Sequence, residues 1–395
     1  MKRTYTIFAI LLFVMTGCGG NRQSVNETDG FITVDVTKGY PKKELILQDF
    51  MDVEYIALET NDDFLNQGVV MAIGKQFIVV KNNVRDGDIF IYNRNGKALR
   101  KVNRMGQGGE EYLNISSIVL DENNDEMFVS DGRKILVYDL YGKYKRSFGS
   151  SYGSIYNYNN ESFICHDISF DNDVEDIDKP PFTIISKQDG SIMKTIQPAC
   201  QQKRAGRVRL IQRYDITVAA FSTNFPLTSI IPWHESWILT VYSSDTIFNY
   251  LPDHSMTPFM VRTPSIQSNN PNAFLSLGIL TEHYWFLQTK KPEPEIVGTS
   301  PSDAYVLWPE TSLVCDRQEK NIYEYTVYND DFSNQITVNM SQNTINDEIA
   351  FQQKIEAYQL VEAYEKDELK GRLKEIASEL DEDDNPIIML VKYKK

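Results

Sequence analysis

Few residues in this chain could do chemistry, and their spacing limits what they could do. Histidine is scarce: His166, His234, His254 and His283 share no metal-pair spacing. Cys165, His166 and Asp167 ("CHD") carry a thiol, an imidazole and a carboxylate in a row, the ingredients of an activated nucleophile. They end a strand expected over "ESFICHD" (161–167), and adjacent strand residues point to opposite faces, so thiol and imidazole are not expected to meet. His166 and Asp167 remain candidates for ligand contact at the strand end. "DNDVEDID" (171–178) offers carboxylates for calcium, but an EF-hand loop needs glycine at its sixth position and this stretch has Asp176; a solvated loop is the plainer reading. "WHESW" (233–237) flanks His234 and Glu235 with two tryptophans, which would stack on a sugar ring if exposed and serve as core if buried. "RMGQGGEEY" (104–112) combines glycines, which bare backbone N–H groups, with Arg104, Gln107, Glu111 and Tyr112 as polar contacts. The competing reading is that Arg104 and Glu111 pair to fix the loop. HExxH, a P-loop, CxxC and a GxGxxG between strand and helix are all missing from the sequence. No catalytic residue and no metal ligand is assigned.

The elements that would position these residues are strands. "IFIYNRNGKALRKV" (89–102) and "ILVYDLYGKYKRSF" (135–148) align with a shift of 46 residues, matching Ile89/Ile135, Tyr92/Tyr138, Gly96/Gly142, Lys97/Lys143 and Arg100/Arg146. Each reads as strand, glycine turn, strand, and Asn95-Gly96 is a strong hairpin signal. A further strand precedes each, "QFIVV" (76–80) and "EMFVS" (126–130). A fainter third copy, "ESFICHD" with "FTIISKQDGSIMKTI" (182–196), places Gly190 48 residues after Gly142. Weaker segments follow at 236–251 and 312–328. A period in the forties with several strands per unit predicts a β-propeller. One small sheet cannot bury both faces, whereas a ring of sheets buries them mutually. A sandwich with coincidental hairpins is the alternative.

"DVEYIALET" (52–60), the paired "Y…GK…R" hairpins, "RMGQGGEEY" and the ending "DDNPIIMLVKYK" (383–394) resemble the six-bladed propeller lipoproteins of Bacteroidota, which are related to NHL-type propellers. Six blades are what the resemblance implies; the repeat spacing alone allows six or seven. The expected fold is all-β, a six-bladed β-propeller spanning 31–395 with a C-terminal amphipathic helix before the closing strand.

That helix is read from Phe351, Ile355, Tyr358, Val361, Leu369, Leu373, Ile376 and Leu380 as an insertion over about 347–380, whole or broken near Gly371, with "TIND" (344–347) as its capping box. "DEDDN" (381–385) reads as loop, because anions do not suit a helix C-terminus. A closing strand is expected over 386–393. "FITVDV" (31–36) and "VEYIAL" (53–58) fall outside the repeats, so the last blade is expected to combine strands from both chain ends.

The N-terminus carries an address. Lys2 and Arg3 precede nine consecutive apolar residues, Ile7–Met15, and a small-residue site follows, as in a secretory signal over 1–17. Nine helical residues rise roughly 13–14 Å, far short of the roughly 30 Å hydrocarbon core. "MTGC" resembles a bacterial lipobox. That resemblance implies cleavage before Cys18, lipidation of Cys18 and a flexible tether over 18–30. An ordinary signal peptide with an incidental cysteine is the alternative. Loss of residues 1–17 takes the formal charge from −15 to −17, which opposes nucleic-acid binding because counterion release needs a basic surface. Cys165, Cys200 and Cys315 remain, an odd and widely spaced set with no disulfide framework. Aromatic content of 12% suits strands.

The expected function is a non-catalytic binding or scaffold module. It would be held on the outer membrane by lipid, on the periplasmic side rather than the cell surface, and would engage an envelope protein or glycan. No cofactor is assigned. The alternative is a lactonase-like, calcium-dependent hydrolase or lyase with its site in the central channel, whose scattered ligands would leave no local motif. An accessory role in nutrient uptake is compatible with the same composition.

Overall fold

The computed structural model describes residues 27–28, 31–150, 152, 154–167, 179–199, 208–213, 216–221, 230–241, 244–268, 273–291, 295–297 and 305–394. The signal segment, Cys18, "DNDVEDID" and Cys200 lie outside the described residues.

Alternating apolar stretches punctuated by tight turns build six antiparallel sheets in chain order, and the chain is an all-β, six-bladed β-propeller. Blade 1 holds Val69–Ile73, Phe77–Lys81, Asp88–Asn93 and Ala98–Asn103. Blade 2 holds Ser117–Asp121, Glu126–Ser130, Lys134–Asp139 and Tyr144–Gly149. Blade 3 holds Ser154–Asn157, Ser162–His166, Phe182–Ser186 and Ile192–Ile196. Blade 4 holds Ile230–Trp233, Ser236–Leu239, Thr246–Tyr250 and Met256–Thr263. Blade 5 holds Phe274–Leu280, Tyr284–Lys290, Glu310–Asp316 and Asn321–Tyr328. Blade 6 holds Ile349–Ile355, Ile387–Tyr393 and Met51–Ala57.

Six apolar clusters, one between each pair of neighbouring sheets, close the ring. Val79 and Ile91 meet Ile118 and Val129 between blades 1 and 2. Phe128 and Val137 meet Phe163 and Cys165 between blades 2 and 3. Ile164 and Phe182 meet Ile230 and Leu239 next, then Ile238 and Met260 meet Leu287 and Cys315. Phe286 and Val314 meet Phe351 and Met389, and Ile388 and Leu390 of blade 6 return to Ile78 and Phe90 of blade 1. Each sheet is thus apolar on both faces, which only a circular array satisfies.

The sequence repeat has a concrete task. Gly142 turns with φ 82°, and a Cβ there would meet Val102 of the preceding blade at 2.7 Å. Such a position takes glycine on both backbone and steric grounds. Gly96 and Gly190 occupy the equivalent turns against Ala57 and Phe148. The repeated arginine bolts its blade to the next one. Arg100 donates to the carbonyl of Leu140 and stacks 4.2 Å from the Tyr141 ring centroid. Arg146 donates to the carbonyls of Lys187 and Gln188 at 2.9 and 3.0 Å. It also grips Glu126 with both amino groups, at 2.6 and 2.8 Å. Burial pushes the Glu126 carboxyl up, yet its hydrogen bonds to Arg146 and Lys145 outweigh that and hold it below its usual range.

Blade 6 is closed by both chain ends: Ile387–Tyr393 pairs antiparallel with Ile349–Ile355 on one side and Met51–Ala57 on the other. "FITVDV" does not join it. Phe31–Asp35 runs parallel along the outer strand of blade 4, and Lys42–Ile46 runs parallel along the outer strand of blade 5. Hydrophobic alternation marks these segments as strands but does not encode which distant edge they cover. The N-terminal stretch is therefore a strap over three consecutive blades. It is tightened by a one-turn helix, α1 (Leu47–Phe50), and by Lys43, whose amine meets Asp316 at 2.6 Å and Glu319 at 2.9 Å.

The helical insertion is shorter than the spacing predicts. Ile349–Ile355 is strand, and helix covers only α2 (Ala357–Glu365) and α3 (Gly371–Ala377). The expected capping box instead closes a turn within the blade, where the Asn346 side chain accepts from the backbone N–H of Glu348 and Ile349. With the helix starting ten residues later than the reading over 347–380, its buried stripe is Ala357, Leu360, Leu373 and Ile376, and Tyr358 faces out. Among the described residues no helix is long and apolar enough to cross a membrane.

Candidate binding face

Antiparallel pairing sends alternate connections to opposite faces. On one face the turns are tight and touch around the ring. Glu122 of blade 2 accepts from the backbone N–H of Lys75, Gln76 and Phe77 of blade 1. Asn123 and Asn124 reach Asn160 of blade 3, His234 of blade 4 lies 3.5 Å from Glu282 of blade 5, and Asn346 reaches the carbonyl of Ile73. From the other face depart the long connections 167–181, 197–229, 291–309 and 356–386. Two short ribbons rise there, Val208–Arg213 with Ile216–Phe221 and Glu295–Val297 with Tyr305–Leu307, and the first touches the second.

A groove of about 590 Å³ opens on this second face at the seam of blades 1 and 6. Residues 65–67 and 82–84 of blade 1 form one wall, and 354–358 with 382–386 of blade 6 form the other. Behind its lining, reached through Asn66, is a buried polar network. Asn385 accepts from the backbone N–H of Asn66 at 2.8 Å and donates to the carbonyls of Glu59 and Phe64 at 2.9 and 2.7 Å. Asn66 donates to the Tyr92 hydroxyl at 2.6 Å, and burial pushes that phenol up despite this bond. Gln67 ties in two neighbours: its N–H donates to Asn82 at 2.9 Å, and its side-chain carbonyl accepts the Asn83 N–H at 2.7 Å. Fully bonded networks of this kind fix geometry, so the groove is shaped before anything enters it. The sequence signal for it is faint, since "DEDDN" reads only as a helix-ending loop and its partners lie some three hundred residues away.

The residues singled out from sequence have separate surroundings. Tyr112 is wholly buried; its hydroxyl donates to the carbonyl of Gly87 at 2.7 Å and accepts from the Arg104 N–H at 2.9 Å. Burial pushes its phenol up to about 12. Glu111 accepts from the Gly108 N–H at 2.7 Å, and a side chain at Gly106 would collide with its carboxylate. Arg104 donates to the carbonyl of Gly142 at 3.1 Å. Among the described residues Arg104 and Glu111 do not pair: Glu111 holds the loop's own backbone, while Arg104 reaches the Gly142 turn of blade 2. Gln107 is exposed. His166 is buried against Phe182, ring centroids 5.6 Å apart, and buried Asp167 meets Lys179 at 3.0 Å. Cys165 points the other way, into the cluster between blades 2 and 3, where burial pushes its thiol up. A buried, protonated thiol is a poor nucleophile. The two tryptophans of "WHESW" are packed: Trp237 stacks on Tyr158 at 6.0 Å, and Trp233 meets Trp285 edge-on at 6.4 Å. Among the described residues no group of three or more His, Cys, Asp or Glu side chains is arranged to hold a metal ion.

The family model described as "Domain of unknown function (DUF4934)" matches residues 31–392. The chain belongs to the DUF4934 family. Its fold is similar to the crystal structure of a Bacteroides fragilis protein described as exported, at 14% identity and a TM-score of 0.56, covering 90% of this chain and 99% of that one. A DUF4221 family member from Bacteroides vulgatus is 9% identical with a TM-score of 0.42, covering 88% of this chain and 99% of that one. The comparison with curated proteins found no match.

Proposed function

We propose that this DUF4934 chain is an exported, lipid-anchored envelope protein. It acts as a non-catalytic binding module that seats an envelope protein or glycan on the face carrying the long insertions. The observation that carries the reading is the inequality of the two faces. One is sealed by mutually bonded turns, while the other gathers the connections 167–181, 197–229, 291–309 and 356–386 and a preformed groove. Loops positioned by a rigid scaffold are where such folds place binding residues. Exposed Gln107 lies on this face and extends the candidate surface; His166 and Asp167 end a strand that points towards it but are themselves buried. The address comes from the signal-like residues 1–17 and from Cys18, with the periplasmic side of the outer membrane favoured, and the exported description of the Bacteroides fragilis relative agrees with it.

Site-specific photo-crosslinking in intact envelopes tests the binding face. A crosslinker replacing Tyr358, on the insertion face, is expected to give a discrete adduct. One replacing Tyr141, exposed in a tight turn on the other face, is expected to give none. Adducts from Tyr141 alone, or from neither site, would overturn the reading.

A further inference from the structure

The groove at the seam of blades 1 and 6 has a lining that identifies a class of occupant. Large exposed apolar side chains among the described residues number ten, and three of them, Leu65 (60% exposed), Val84 (59%) and Tyr358 (52%), line this one groove. Such clustering marks an interaction site rather than ordinary surface. The rim is acidic. Of its carboxylates, Glu356 is paired with Lys354 at 2.5 Å, and Asp384 accepts the backbone N–H of Asp381 at 2.9 Å. Glu382 and Asp383 are exposed and face no cationic partner among the described residues. Lys354, the one cation in the lining, is further held by the carbonyl of Gln67 at 3.1 Å.

We infer that the groove binds a short segment of a partner protein that presents lysine or arginine alternating with apolar side chains. This inference rests on the binding-module reading above. Two unpaired carboxylates complement a cation, whereas a neutral or anionic glycan would leave them uncompensated. Leu65 and Val84 offer apolar contact area but no hydrogen bonds, which suits an aliphatic side chain better than a sugar. The buried Asn66–Asn385–Tyr92 network holds both walls in place, so little ordering is needed on binding.

The test uses the purified full chain in detergent and fluorescent hexapeptides read by polarisation. The probe alternates lysine with leucine; controls replace lysine by glutamine, lysine by glutamate, or leucine by serine. The lysine–leucine peptide is expected to bind best, and more weakly as salt rises from low to high. Glu382→Gln with Asp383→Asn is expected to weaken it roughly 5-fold, and Tyr358→Ala roughly 10-fold. Tyr141→Ala, on the opposite face, is expected to leave it unchanged. All are surface substitutions, and an unchanged melting temperature verifies folding. Equal binding of the glutamate or glutamine peptide, or indifference to the groove substitutions, overturns the inference. If the Tyr358 crosslink forms while no basic peptide binds, the partner has another chemistry and only this inference falls. If the crosslink also fails, the binding-face reading falls with it.

Discussion

Asp121 of blade 2 and Lys187 of blade 3 form an ion pair of 2.6 Å with side chains only 4% and 6% exposed. The Lys187 amine also sits 5.1 Å from the Phe163 ring centroid, and Asn124 donates to the same Asp121 oxygen at 2.9 Å. Asp121→Asn keeps the shape and removes the charge, stranding an ammonium between two blades. Breaking one side of a buried pair costs about 3–5 kcal/mol. Unfolding entropy is about 2.1 cal/mol/K per residue, so the roughly 365 residues from 31 onward give about 0.8 kcal/mol/K. The melting temperature should therefore fall by about 4–6 °C in scanning calorimetry. Replacing both partners, Asp121→Leu with Lys187→Met, removes the stranded charge and should recover most of that loss, because apolar replacements of buried pairs are often neutral. A fall below about 1 °C for Asp121→Asn, or a double variant as unstable as the summed single ones, would refute the claim that this pair is a tightly coupled inter-blade contact.

Gly142→Val forces a branched side chain into Val102 at a left-handed turn and should destabilise by about 2–4 kcal/mol, measured by urea unfolding. The Glu126 carboxyl is depressed, so its contribution is complete above the unfolded carboxylate pKa and is lost as pH falls through the lower folded value; Glu126→Gln should be less stable than the parent at pH 7, with the gap closing in acid melts. Deleting residues 386–395 removes the central strand of blade 6 and should sharply lower the melting temperature; an unchanged curve would count against closure by both chain ends. Cys18→Ala should abolish metabolic labelling with a radiolabelled fatty acid and release the protein from the membrane pellet, and retention with label intact would overturn the lipid anchor.

The hairpins at 89–102 and 135–148 were legible because Asn95-Gly96, Tyr141-Gly142 and the flanking alternation are local signals, and the strands fall where those signals place them. What the repeated Arg100 and Arg146 do was not legible, since their acceptors sit on the next blade. Phe351 and Ile355 suit either a helix or a strand when judged by spacing. Pairing with Ile387–Tyr393 decides for strand, and no local pattern announces that pairing. The groove was the least legible feature. Its acidic wall and its Asn66 wall meet only once the ring has closed, and spacing alone places Tyr358 in an apolar stripe that in the structure begins elsewhere.

The strap has a mechanical consequence. A pull on the chain's beginning meets Phe31–Asp35 on blade 4 first, then Lys42–Ile46 on blade 5, and only afterwards Met51–Ala57, which shuts the circle. Each of the first two strands can detach and leave its four-stranded blade intact. Tension is thus spent on two sacrificial attachments, in a fixed order, before it reaches the strand whose departure would spring the ring open.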